Sequence, residues 1–166
     1  MEKAASPGVG IARVGVAGDS AGAYLAAPLA AAHPRAVRTQ ALLFPLVQLD
    51  DATWSQTVLR DSRVVGRLAV AYINAQMAGV AAPSLLHAVN ARTPPTLMIG
   101  CTHLDPVHPD VERYAQALRT AGVPVELTVY PTQAHGFGNM THVSPVAVQA
   151  IDTLGARLGE ALRDGG

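Results

Sequence analysis

The chain has 166 residues, of which 49% are hydrophobic, 14% charged and 4% aromatic, and twelve acids balance twelve bases. That length suits one domain able to bury roughly two-thirds of its unfolded surface, and so apolar a composition excludes a disordered chain. No basic run points to nucleic acid, and the single Cys101 forms no internal disulfide. The opening MEKAASPGVG lacks the apolar run of a signal peptide. The most apolar stretch, residues 68–86, is interrupted by Asn74, Gln76, Pro83 and Ser84 and makes a poor membrane span. The expectation is a soluble cytoplasmic protein in which residues 1–166 form a single domain.

In chain order, residues 11–17 (IARVGVA) are short and apolar and predict a buried strand. Residues 20–32 are Ala-rich and predict a helix stopped near His33-Pro34, with Pro28 expected to kink it or end it early. Residues 40–47 (QALLFPLV) predict a second strand ending near Pro45. Residues 64–77 have helical spacing. A third strand is expected over 96–100 (TLMIG), then a helix over 109–121 with Gly122 as its cap. Residues 123–130 (VPVELTVY) alternate as a strand does, and 144–162 form a closing amphipathic helix with Ser144 as N-cap. Strands alternating with helices imply a mostly parallel sheet of about four strands with helices on both faces. In such sheets, sites gather at the carboxyl ends of the strands.

Gly18-Asp19-Ser20-Ala21-Gly22 fits G-x-S-x-G between a predicted strand and a predicted helix. A nucleophilic Ser20 needs such a turn: it lifts the hydroxyl above the sheet, the glycines admit close backbone approach, and the Ala21 N–H faces a developing oxyanion. So short a pattern arises by chance with odds on the order of a few per cent in a chain of this size. A serine also needs a base, and the base an orienting acid. His135 follows the last strand and Asp105 the third, giving the order Ser, Asp, His just beyond strand ends. Either residue alone reads more simply as a cap or surface group. Order and placement together favour a Ser20–His135–Asp105 triad.

These residues resemble the hormone-sensitive-lipase-type esterases of the α/β-hydrolase superfamily. Gly18-Asp19-Ser20-Ala21-Gly22 is similar to that family's nucleophile elbow, Asp105-Pro106-Val107 to its Asp-Pro-Leu motif, and His135-Gly136-Phe137 to its His-Gly-Phe motif. The similarity runs from about Arg13 to His142 and covers the carboxyl-terminal half of the family fold. It implies a truncated α/β-hydrolase acting on short-chain carboxylic esters. Ser20 would attack, His135 would serve as base and then acid, and Asp105 would orient His135, with no cofactor.

The departures from the family pattern carry consequences. Ala23 stands where a second glycine is common, and Pro109 where many relatives have an acid. The family's His-Gly-Gly motif, source of most of its oxyanion hole, is missing, which leaves the Ala21 N–H. Four strands of the family sheet would then be absent, and the first strand would lie at an edge. Hence the expectation of a homo-oligomer joined through that edge. The alternative is a non-catalytic remnant that serves as an interaction or oligomerisation module. Three further features are read as structural. His103, Asp105, His108 and Asp110 have N and O ligands in one loop, yet positioning of Asp105 explains that loop more simply than a metal. Cys101 reads as buried filler, and Trp54, Tyr72 and Met77 as packing rather than an acyl pocket.

Overall fold

The computed structural model describes residues 14–48, 72, 75–76, 84–102 and 104–163. Within them, β1 (Val14–Asp19), β2 (Val37–Leu43), β3 (Thr96–Cys101) and β4 (Val125–Tyr130) form one sheet in the order β1-β2-β3-β4. Every pairing is parallel. Helices α1 (Ala21–Ala32), α2 (His108–Thr120) and α3 (Pro145–Arg163) connect and follow the strands. Leu97 and Ile99 of β3 face Ala150 and Leu154 of α3 across a small cleft. The next residue, Gly100, lies beneath Val111 of α2. Since successive strand residues point to opposite faces, α2 and α3 cover opposite sides of the sheet. The fully buried Leu42, Phe44, Val47, Leu85, Met98, Val111 and Leu118 fill the core. Among the described residues no helix is long and apolar enough to cross a membrane.

Several features differ from expectation for physical reasons. β2 begins at Val37 rather than residue 40, and it ends at Leu43 rather than Val47. Its early start was hidden by Thr39, polar yet buried. Thr39 Oγ1 donates to the Pro95 carbonyl at 3.0 Å, and Gln40 Nε2 donates to Thr96 Oγ1 at 2.8 Å. β2 stops because Phe44 turns to φ 40° and Pro45 has no N–H for the ladder. α1 runs through Pro28 to Ala32, where His33 N–H bonds the Leu29 and Ala30 carbonyls. The region predicted as a helix over 64–77 lies mostly outside the described residues, with Tyr72, Ala75 and Gln76 helical.

The ends of α2 and α3 follow their sequence signals. α2 closes in a Schellman arrangement, with Gly122 at φ 78° one residue beyond the Ala121 cap. Gly122 N–H bonds the Arg119 carbonyl and Val123 N–H the Leu118 carbonyl, both at 3.0 Å. At the start of α3, Ser144 Oγ accepts from Ala147 N–H at 3.2 Å.

Candidate active site

Ser20 joins β1 directly to α1, with φ 51° and ψ −116°. Such a backbone costs on the order of 1–3 kcal/mol and persists only when its surroundings hold it. Here Ser20 N–H donates to the Leu43 carbonyl at 2.8 Å, and the Ser20 carbonyl accepts from Tyr24 N–H at 3.3 Å and Leu46 N–H at 3.4 Å. The turn is therefore pinned to the carboxyl end of β2. Gly18 packs against α1 so closely that a Cβ there would overlap the Gly22 carbonyl. Gly22 behaves differently, since a Cβ on it would rest 3.6 Å from Asp19 Oδ1. Ala21 is exposed and opens α1, where a first-turn N–H has no acceptor within the helix.

Asp105 sits in the loop after β3, its side chain fully buried. Its N–H bonds the Thr102 carbonyl at 2.7 Å, and its Oδ1 accepts from Val107 N–H at 2.9 Å. The same Oδ1 lies 2.9 Å from His135 Nδ1, and His135 Nε2 lies 2.8 Å from Ser20 Oγ. An ionised carboxylate only accepts, so Nδ1 carries the proton and Nε2 is left to accept from the serine hydroxyl. The structure thus brings Ser20, His135 and Asp105 into one continuous relay. Asp105 Oδ2 is buried and has no hydrogen-bond partner among the described residues.

The sequence did not reveal what holds the histidine loop. Phe44 and Phe137 pack at 5.6 Å between ring centroids, and Phe44 also meets the His135 ring at 5.4 Å. Gly136, at φ 78°, lets the chain turn from His135 into the short 3₁₀ turn Phe137–Asn139. Asn139 Nδ2 then donates to Asp19 Oδ2 at 3.0 Å, tying the histidine loop to the elbow. Thr102 Oγ1 donates to the Pro131 carbonyl at 2.8 Å, and Cys101 Sγ to the Ala134 carbonyl at 3.6 Å, joining the Asp105 and His135 loops. The one available signal was position: Asn139 and Thr102 lie within a few residues of a motif at a strand end.

Cys101 is fully buried, and burial chiefly, with the Asp105 charge second, pushes its thiol up to about 12. It is held as a neutral thiol, not a nucleophile. The loop considered for metal binding divides among separate partners. His108 faces Glu112 at 3.8 Å, Asp110 pairs with Arg113 at 3.3 Å, and His103 lies outside the described residues. Burial raises the Asp110 carboxyl above its ordinary range against the pull of Arg113 and of hydrogen bonds with the Val47 and Gln48 backbone. Among the described residues no three metal-binding side chains converge. Tyr72 is exposed rather than packed, while Trp54 and Met77 lie outside the described residues.

Residues 1–139 match the α/β-hydrolase fold family. Carboxylesterase NlhH of Mycobacterium tuberculosis is 33% identical over 175 aligned positions, which cover 97% of this chain and 54% of NlhH. Esterase LipI of the same organism is 30% identical, covering 87% of this chain and 49% of LipI. The chain spans about half the length of the curated relatives it matches. Among solved structures, an esterase from Pyrobaculum calidifontis superposes with a TM-score of 0.80 at 26% identity, over 93% of this chain and 53% of that one. Esterase LipW from Mycobacterium marinum gives a TM-score of 0.73 at 28% identity, over 93% of this chain and 51% of LipW.

Proposed function

Because the chain belongs to the α/β-hydrolase fold family, we propose that it hydrolyses short-chain carboxylic esters through Ser20, His135 and Asp105. The observation that carries this reading is the unbroken relay of 2.8 Å and 2.9 Å contacts ending on a serine at φ 51°. In it, His135 Nε2 takes the Ser20 proton as Oγ attacks the ester carbonyl. The Asp105 carboxylate steadies the imidazolium that results. His135 then passes its proton to the departing alkoxide, leaving an acyl group on Ser20. Water, deprotonated by the same imidazole, releases the acid and restores the serine. No step calls for a metal or an organic cofactor.

The Ala21 N–H stabilises the oxyanion in this scheme. Removing one such donor from a hydrolase costs about 10²–10³ in rate, so a second donor from elsewhere in the assembled protein makes a large difference to turnover. A fluorophosphonate probe tests the nucleophile directly, because Ser20 Oγ attacks phosphorus and fluoride leaves. One adduct per chain, found on the Ser20 peptide by mass spectrometry, is the expected result. An unlabelled chain, or label on another serine, would refute the assignment.

The edge of the sheet bears on assembly. Among the described residues β1 pairs only with β2, and beside it Val14 (38%), Leu25 (72%) and Leu29 (39%) are exposed. An apolar strand edge of this kind is a template for another chain. We propose that a second copy covers it. Light scattering after size exclusion should then show a dimer or larger, and a monomer at every concentration tested would rule this out.

A further inference from the structure

The end of the sheet away from Ser20 carries a second concavity. A groove of about 480 Å³ runs past the amino-terminal ends of β2, β3 and β4, and Arg35, Arg38 and Arg92 line it. Among the described residues no aspartate or glutamate does. Elsewhere the arginines that form ion pairs do so conventionally, Arg113 with Asp110 and Arg157 with Glu126 and Glu160. Among the described residues, by contrast, no carboxylate pairs with Arg35, Arg38 or Arg92. In a chain whose formal charge is zero, this is a local excess of positive charge rather than a property of the whole surface.

We propose that this groove binds a small multivalent oxyanion, held by the guanidinium groups of Arg35, Arg38 and Arg92. Three like charges around one concavity repel each other, and its low-dielectric walls concentrate the field they create. An anion relieves both effects. Guanidinium groups suit it because their planar donor forks match phosphate and carboxylate oxygens and are weakly hydrated.

The walls are also rigid before any ligand arrives. Pro34, Pro94, Pro95 and Pro124 line the groove and fix their own φ angles. Arg92 is carried by a tight turn in which its N–H donates to Asn90 Oδ1 at 2.9 Å. Thr93 closes that turn from both directions, since its Oγ1 accepts from Asn90 N–H at 3.1 Å and its N–H donates to the Asn90 carbonyl at 2.9 Å. Opposite, Gly122 and Val123 are locked by the Schellman bonds that end α2. With the backbone already fixed, only the arginine side chains remain to be ordered when an anion is engaged. The volume falls within the range of small-molecule sites, about 300–1,000 Å³.

Titration calorimetry at low ionic strength tests the proposal with inorganic pyrophosphate and with citrate, on the unaltered chain and on an Arg38→Gln/Arg92→Gln variant. Saturable one-to-one binding is expected, weakening as sodium chloride is added. The double variant should bind about 100-fold more weakly, on the order of tenfold for each arginine lost. Arg113→Gln, which lies outside the groove, should leave affinity unchanged. Tighter binding of pyrophosphate would identify a phosphate-bearing ligand, and tighter binding of citrate a polycarboxylate. Absence of saturable binding to both anions, or equal affinity in the double variant, would overturn the assignment. The readout is independent of ester hydrolysis, so it stands or falls apart from the role given to Ser20.

Discussion

Ser20→Ala is expected to reduce p-nitrophenyl ester turnover by about 10⁶-fold, since groups of this kind act as a unit. His135→Ala should fall equally far, and adding it to Ser20→Ala should cost nothing more. Asp105 separates the possible mechanisms more finely. Asp105→Ala deletes the acceptor for both His135 Nδ1–H and Val107 N–H, and should cost about 10⁴-fold. Asp105→Asn keeps one oxygen. Because the Asp105 Oδ1 serves both donors, an asparagine oxygen in its place still selects the same histidine tautomer. What it loses is the charge opposite the imidazolium, and it puts an NH₂ where the buried Oδ2 has no partner. A loss smaller than that of Asp105→Ala is therefore expected. Initial rates on p-nitrophenyl butyrate measure all five variants, the double variant included. Undiminished activity in Ser20→Ala would remove the nucleophile from the scheme, and equal damage from Asn and Ala at 105 would show that tautomer selection is not retained.

The sequence made the sheet and the candidate relay legible for one reason and hid their supports for another. β3, α2 and α3 lie within a residue of their expected bounds because their signals are local: a β-branched and apolar run, Ser144 before Pro145, Gly122 after the last helical turn. β1 runs to Asp19 rather than residue 17 and, read as a buried strand, is only half-buried or exposed. The start of β2 was missed because the polar Thr39 is satisfied by Pro95, 56 residues away. No window of neighbouring residues contains that information. The same holds at the site. Ser20, Asp105 and His135 could be proposed from their order along the chain, yet Asn139 meets Asp19 across 120 residues. Phe44 offered only the proline after it as a hint, and its turn at φ 40° places its ring against His135.

The two glycines of the elbow, equivalent in the sequence pattern, should respond oppositely to the same substitution. A Cβ at Gly18 would overlap the Gly22 carbonyl and lie 2.7 Å from the Ala23 nitrogen. Both are backbone, so no side chain can swing aside; α1 itself must move off β1. Gly18→Ala should therefore cost about 3 kcal/mol or more, lowering Tm by roughly 6–12 °C in a domain of this size. It should also depress ester turnover, because the start of α1 carries Ser20 and Ala21 with it. At Gly22 the new methyl would meet, among the described residues, only Asp19 Oδ1 at 3.6 Å, an ordinary contact. Alanine there also favours the helical state by up to about 1 kcal/mol over glycine. Gly22→Ala should accordingly hold or slightly raise Tm. Thermal unfolding of the two variants beside the unaltered chain decides the matter. If both lose stability alike, the elbow needs small residues on both sides of Ser20; if only Gly18→Ala does, one close crossing of β1 and α1 sets the strained turn on which the proposed nucleophile stands.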